Sequence, residues 1–242
     1  MPCKFLKEAT EMKYNTILID LDDTLIDTIG NTETTIREIY NDYNLNEHFS
    51  SFDEFFVNHY RPNNIRLWKA YEKQEITKQE LMNERFVGVF RGVADIAIEH
   101  LEVMNQDFLG RIVLKSSLID GAIDLLDYLK SKYRLCVLSN GFTEMQYVKI
   151  KSAGLDGYFD EIVLSDVVGI NKPQAGIFDY ALRKLNASKS EVIMLGDNYS
   201  SDIVGARNAN IEQIWYNPKK QDPADFDPTY TIEHLSEVKT IL

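Results

Sequence analysis

The chain has 242 residues, 44% hydrophobic and 26% charged, an ordinary globular composition long enough for one large domain or one domain carrying an insertion. Lys and Arg number 26 against 38 Asp and Glu, a net charge of −12. That balance argues against a nucleic-acid polymer or an anionic membrane as partner, although screening leaves room for a small anion in a local cationic pocket. Cys3 and Cys136 are the only cysteines and form no disulfide framework or metal-ligand spacing. With no apolar leader in residues 1–13 and no run near 18 apolar residues, a cytoplasmic location is expected. Residues 1–12 read as an extension, with Met12 as an alternative start.

The first element is a strand over residues 17–19, apolar enough to be buried on both faces of a parallel sheet. It stops on Asp20, Asp22 and Asp23. Two carboxylates about 4 Å apart repel by roughly 4 kcal/mol at an effective dielectric near 20, so a cation is expected nearby. A solvated acidic turn is the plain alternative. A calcium loop is excluded, since its sixth and twelfth positions would be Leu25 and Asn31 instead of Gly and Glu.

Ile29, Ile36, Ile39, Tyr40 and Tyr43 then recur at helical spacing. Ser51 with Glu54, and Thr77 with Glu80, read as capping boxes, and Ile76 with Leu81 as a hydrophobic staple. No strand is expected between residues 28 and 113. The aromatic residues of this stretch, among them Phe49, Phe52, Phe55, Phe56, Tyr60, Trp68, Tyr71, Phe86 and Phe90, read as a small helical core, with one or two available to stack on a substrate ring.

From residue 120 strands and helices alternate. A helix through Ala122, Leu125, Leu126 and Leu129 precedes a strand over 135–138. Met145, Val148 and Ile150 mark the next helix, ended by Gly154. A strand over 162–164, a helix over 177–185 and a strand over 192–195 follow. A helix through Ile203 and Ala206, strands over 211–216 and 230–232, and a short terminal helix complete the chain. Such alternation implies a doubly wound parallel α/β sheet whose working edge lies at the strand carboxyl ends.

Those ends carry chemistry. Ser139-Asn140-Gly141 closes the second strand; a hairpin is the plain reading, but Thr143 with Gln146 as a capping box favours a strand-to-helix turn that offers amides and a hydroxyl to an anion. Lys172-Pro173 places a point charge before a helix, with Pro173 in its first turn. Gly196-Asp197 and Asp202 follow the strand over 192–195, with Ser200 or Ser201 as a plain helix cap. If the strands ending on Asp20 and Asp197 are neighbours, their oxygens suit Mg²⁺.

In order, Asp-x-Asp-x-Thr, Ser-Asn-Gly, Lys-Pro and Gly-Asp-x4-Asp resemble the four motifs of the haloacid dehalogenase-like (HAD) superfamily. The resemblance spans essentially the whole chain and extends to its pyrimidine 5'-nucleotidases of the YjjG type. It implies a Rossmann-like α/β core over residues 13–27 and 114–242, with a helical type-1 cap over 28–113. It further implies Asp20 as nucleophile, forming an aspartyl-phosphate; Asp22 as general acid and base, oriented by Thr24; and Lys172, Ser139, Asn140 and Gly141 as phosphoryl ligands. Mg²⁺ would be held by Asp20, the Asp22 carbonyl, Asp197 and Asp202. The substrate would be a small phosphorylated metabolite, first a nucleoside monophosphate, with Asn63, Asn64, Arg66 and Arg85 as cap candidates for reading it. The commonest first motif has Gly at the position of Asp23, a variation beside the cap hinge. Among rivals, a sugar phosphatase or phosphomutase shares all four motifs. A dehalogenase lacks the second Asp, and a silent binding module would not need the set intact.

Overall fold

The structure, a computed structural model, describes residues 13–242; Cys3 and the extension expected over residues 1–12, with Met12, lie outside the described residues. Six parallel strands form one sheet: β1 (Thr16–Ile19), β2 (Arg134–Ser139), β3 (Glu161–Leu164), β4 (Val192–Gly196), β5 (Glu212–Tyr216) and β6 (Tyr230–Ile232), in the order β3-β2-β1-β4-β5-β6. The order reverses beside β1, which places a crevice at the carboxyl ends of β1 and β4.

Alternation along each strand feeds two cores. Ile17 and Ile19 pack with Leu135, Val137, Ile193 and Leu195 against α5 (Ala122–Lys130), α6 (Thr143–Ser152) and α10 (Val238–Ile241). On the other face Leu18, Cys136, Leu138 and Met194 meet α8 (Ala175–Leu185) and α9 (Val204–Asn208). The free Cys136 is buried. A one-turn helix not foreseen from the sequence, α7 (Ser165–Val168), follows β3. Among the described residues no helix is long and apolar enough to cross a membrane.

Between β1 and α5 the described elements are helical: α1 (Thr28–Asp42), a wide turn of helix over Glu54–Tyr60 running into α2 (Arg61–Glu72), α3 (Lys78–Phe90) and α4 (Ile98–Ile112). Phe49, Phe55, Phe56, Tyr60, Phe86, Phe90 and Phe108 fill a core of their own. A smaller cluster joins this layer to the sheet, with Leu67, Tyr71 and Leu81 against Phe142. The chain enters and leaves the layer as a tied pair: Asp27 N donates to Ser117 O at 3.0 Å and Ile119 N to Leu25 O at 2.9 Å.

Several local expectations need correction. Thr77 and Glu80 close their capping box, but the Glu54 carboxylate takes the Ser50 amide at 2.6 Å and leaves only the Ser51 half of the other. Ile29 is 44% exposed, because the inward face of α1 begins with Asn31 and Thr35. Pro173 follows a cis peptide bond and lies ahead of α8, whose cap is Gln174. The turn after β4 is capped by Asn198, which accepts from the amides of Ser200 and Ser201.

Candidate active site

Asp20 leaves β1 into the crevice, 7% exposed, its amide held by Leu195 O at 2.9 Å. One carboxylate oxygen meets Lys172 Nζ at 2.5 Å, and the same ammonium donates to Asp202 Oδ1 and Leu138 O, each at 2.7 Å. An ammonium has three N–H donors, so all are committed in this arrangement. The Lys172 loop is fastened by Asn140, whose Nδ2 donates to Lys172 O (3.1 Å) and whose Oδ1 accepts from Lys172 N (2.8 Å).

Asp197 leaves the neighbouring strand β4. Thr24 Oγ1 stands between the two carboxylates, 3.4 Å from Asp20 Oδ2 and 3.2 Å from Asp197 Oδ1, and accepts from the Asp197 amide at 3.0 Å. Thr24 therefore orients Asp20 and Asp197, not Asp22 as expected. Gly196 must be glycine here, because a Cβ would lie 2.4 Å from Asp202 Oδ2. Asp23, at the position where the commonest motif has Gly, takes a left-handed φ of 61°, a conformation Asp tolerates better than most residues.

Asp22 is held by residues outside the expected set. Thr28 Oγ1 donates to it at 2.6 Å, Gln146 Nε2 at 2.6 Å, and Lys149 Nζ forms an ion pair with Oδ1. Gln146 also donates to Ser139 Oγ at 2.8 Å, which accepts from the Gly141 amide at 3.0 Å. Gln146 thus serves this site, and the capping box expected with Thr143 does not form; the Thr143 amide goes to Asp166 instead. A Cβ on Gly141 would lie 1.9 Å from Gln146 Nε2, so this close approach also requires glycine. The inward face of α6 is Gln146, Lys149 and Ile150, where Met145 and Val148 were expected with Ile150. The missed signal was the polar pair three residues apart at the helix start.

Charge explains the set. Burial, with Asp202 and Asp22 nearby, pushes the Asp20 carboxyl up to about 8 against the pull of Lys172. Burial disfavours the Lys172 ammonium, yet Asp20 and Asp202 outweigh it and hold the group charged. Burial also works against the Asp22 anion, but Lys149, Thr28 and Gln146 hold that carboxyl below its usual value. The two environments differ, in the opposite sense from that expected of a proton-holding Asp22. Asp197 is pushed well above the carboxylate range by burial and by Asp20 and Asp202.

Asp20, Asp197 and Asp202 bring oxygens within 4.8 Å of one another. Three hard oxygen donors with more negative charge than Lys172 balances suit Mg²⁺. The Asp22 side chain is turned away to Lys149, which leaves only its carbonyl for such a role.

These groups floor a cavity of ≈ 440 Å³. Eight of the nine core residues read from the motifs line it, and Thr24 lies beneath. Of the cap candidates, Asn64 and Arg85 reach the cavity. Asn63 does not; it braces the carbonyls of Glu84 and Arg85 and takes Arg66 on its oxygen at 2.8 Å. Trp68, stacked 5.3 Å from Phe142, forms part of the wall.

A Rossmann-type sheet with paired aspartates, a lysine and a serine at its switch point defines a hydrolase scaffold, and the chain belongs to the haloacid dehalogenase-like hydrolases, whose family model matches residues 14–210. It is 31% identical over 237 residues to pyrimidine 5'-nucleotidase YjjG of Escherichia coli, covering 96% of this chain and 99% of that one. It is 30% identical over 224 residues to pyrimidine 5'-nucleotidase PynA of Streptococcus pneumoniae, covering 91% and 92%. The solved structure of the HAD-hydrolase YfnB from Bacillus subtilis, bound to magnesium, matches with a TM-score of 0.86 at 28% identity, covering 96% and 99%.

Proposed function

We propose that this chain is a Mg²⁺-dependent phosphomonoester hydrolase acting through an aspartyl-phosphate, with pyrimidine nucleoside monophosphates as substrates. The observation that carries the reading is the convergence of Asp20, Lys172, Asp197 and Asp202 under one cavity, with Asp22 beside them. The likeness to YjjG and PynA supports the substrate class.

Asp20 attacks phosphorus; an Asp20 oxygen–phosphorus bond forms as the bond to the leaving oxygen breaks, which divides one hard step into two. Asp22 protonates the leaving oxygen and then takes a proton from the water that attacks the intermediate, releasing phosphate and free Asp20. Its hold on Lys149 favours the anion, the form the second step needs. Delivering the first proton requires that link to loosen when substrate enters. Ser139 accepts from Gly141 and Gln146, so its own proton is available to a phosphoryl oxygen, and Lys172 adds fixed positive charge beside it. Asp20, Asp197 and Asp202 would hold Mg²⁺, which supplies charge for the transferring phosphoryl group. The helical layer over residues 28–113 serves as the cap that shields the reaction from bulk water.

The test is phosphate release with Mg²⁺ from pyrimidine and purine monophosphates, sugar phosphates and an aryl phosphate, with Asp20→Asn as control. Preference for pyrimidine monophosphates, lost in Asp20→Asn, is expected. Cleavage of the aryl ester alone removes the substrate assignment, and no cleavage of any ester removes the phosphatase.

A further inference from the structure

Arg85 on α3 is 3% exposed, and among the described residues no carboxylate pairs with it. Its Nη1 donates to Asn105 Oδ1 at 3.2 Å, its guanidinium lies 4.9 Å from the Phe108 ring centre, and its Nε has no partner. The Tyr60 hydroxyl, also buried, has none either. A buried cation is costly unless paired and hydrogen-bonded, and the face of Phe108 offsets only part of that cost. Two buried donor atoms without partners, Arg85 Nε and the Tyr60 hydroxyl, thus stand in the helical layer, and both residues line the cavity whose floor is Asp20.

A guanidinium only donates, and a phenol can donate, so the complement is a group rich in acceptor oxygens. Phe56 and Phe108 flank Tyr60, with ring centres 6.0 and 6.1 Å away, and Trp68 lines the same cavity; such walls suit a flat ring. Resting on the nucleotidase reading, we propose that Arg85 and Tyr60 form a base-reading subsite that takes the carbonyl oxygens of a pyrimidine. Substrates without an acceptor at that end leave the two groups unpaired and lose the corresponding stabilisation, which is how a polar site rejects them. A carboxylate at the far end of a phosphorylated acid shares the acceptor chemistry, but the aromatic walls favour the ring.

The experiment compares kcat/KM for uridine monophosphate, 2-phosphoglycolate and an aryl phosphate in wild type, Arg85→Met and Tyr60→Phe. The ratio of uridine monophosphate to aryl phosphate is expected to fall at least about tenfold in Arg85→Met and about threefold in Tyr60→Phe. The ratio is insensitive to loss of folded enzyme, and Tyr60→Phe preserves shape. An unchanged ratio in both variants overturns the subsite. A loss confined to 2-phosphoglycolate overturns the base assignment in favour of a carboxylate. Wild type that cleaves the aryl ester but not uridine monophosphate overturns the nucleotidase reading itself, seen before any variant is made.

Discussion

Lys172 holds two buried aspartates and a backbone carbonyl at once, so its removal leaves carboxylates without compensation. Lys172→Met, measured by denaturant unfolding without added metal, is expected to lose about 3–5 kcal/mol of stability, the usual consequence of breaking a buried pair. Lys149 is paired with Asp22, so under the proposed mechanism it is a positioning residue that acts through Asp22. Lys149→Met should lower kcat on the order of 10²-fold by misplacing Asp22, with KM little changed and partial rescue by Lys149→Arg; equal loss in kcat and in stability would make it merely structural. The aspartates and Ser139 were legible in the sequence because they stand at or just beyond the end of an apolar strand, and Lys172 because its Lys-Pro pair precedes a helix in the ordered set of motifs. Gln146 and Lys149 offered only a polar pair three residues apart, which does not mark a partner more than 100 positions away; Thr28 lies six residues from Asp22, but nothing in that spacing shows that the turn brings its hydroxyl back onto the carboxylate.

At the scale of elements, the strands were the most legible parts, as continuous apolar runs leave few alternatives. Helix boundaries followed from local caps where those caps formed. Thr77 accepts from the Glu80 amide at 3.2 Å while its own amide donates to Glu80 at 2.7 Å. Thr77→Ala should therefore cost about 1 kcal/mol and lower the thermal midpoint by about 2–4 °C; an unchanged midpoint would mean that this end of α3 is held by packing alone. Helix rotation was less legible. Three apolar residues of α6 suggested one inward face, yet Gln146 and Lys149 turn inward because the helix starts beside the acidic edge of the sheet, where polar groups gain partners.

Across the whole molecule, three acidic residues from two distant segments, the end of β1 and the turn after β4, meet and outnumber the lysine among them. Folding alone leaves that repulsion in place, and a divalent cation relieves it. Mg²⁺ at about 100 times its dissociation constant should add about 2.7 kcal/mol of stability, read as a raised thermal midpoint that chelator reverses, and turnover should follow the same titration. Asp197→Asn should abolish the shift; a shift that survives it would place the cation elsewhere. By itself the sequence determined the order of elements and the residues standing at each strand end, because apolar runs and their terminating polar residues are local features. Only the tertiary structure decided which cation meets which carboxylate, how α6 is rotated, and which helical residues reach the cavity. Those contacts join positions as far apart as Asp20 and Lys172, 152 residues along the chain, and they exist only once the sheet has brought its strand ends to one edge.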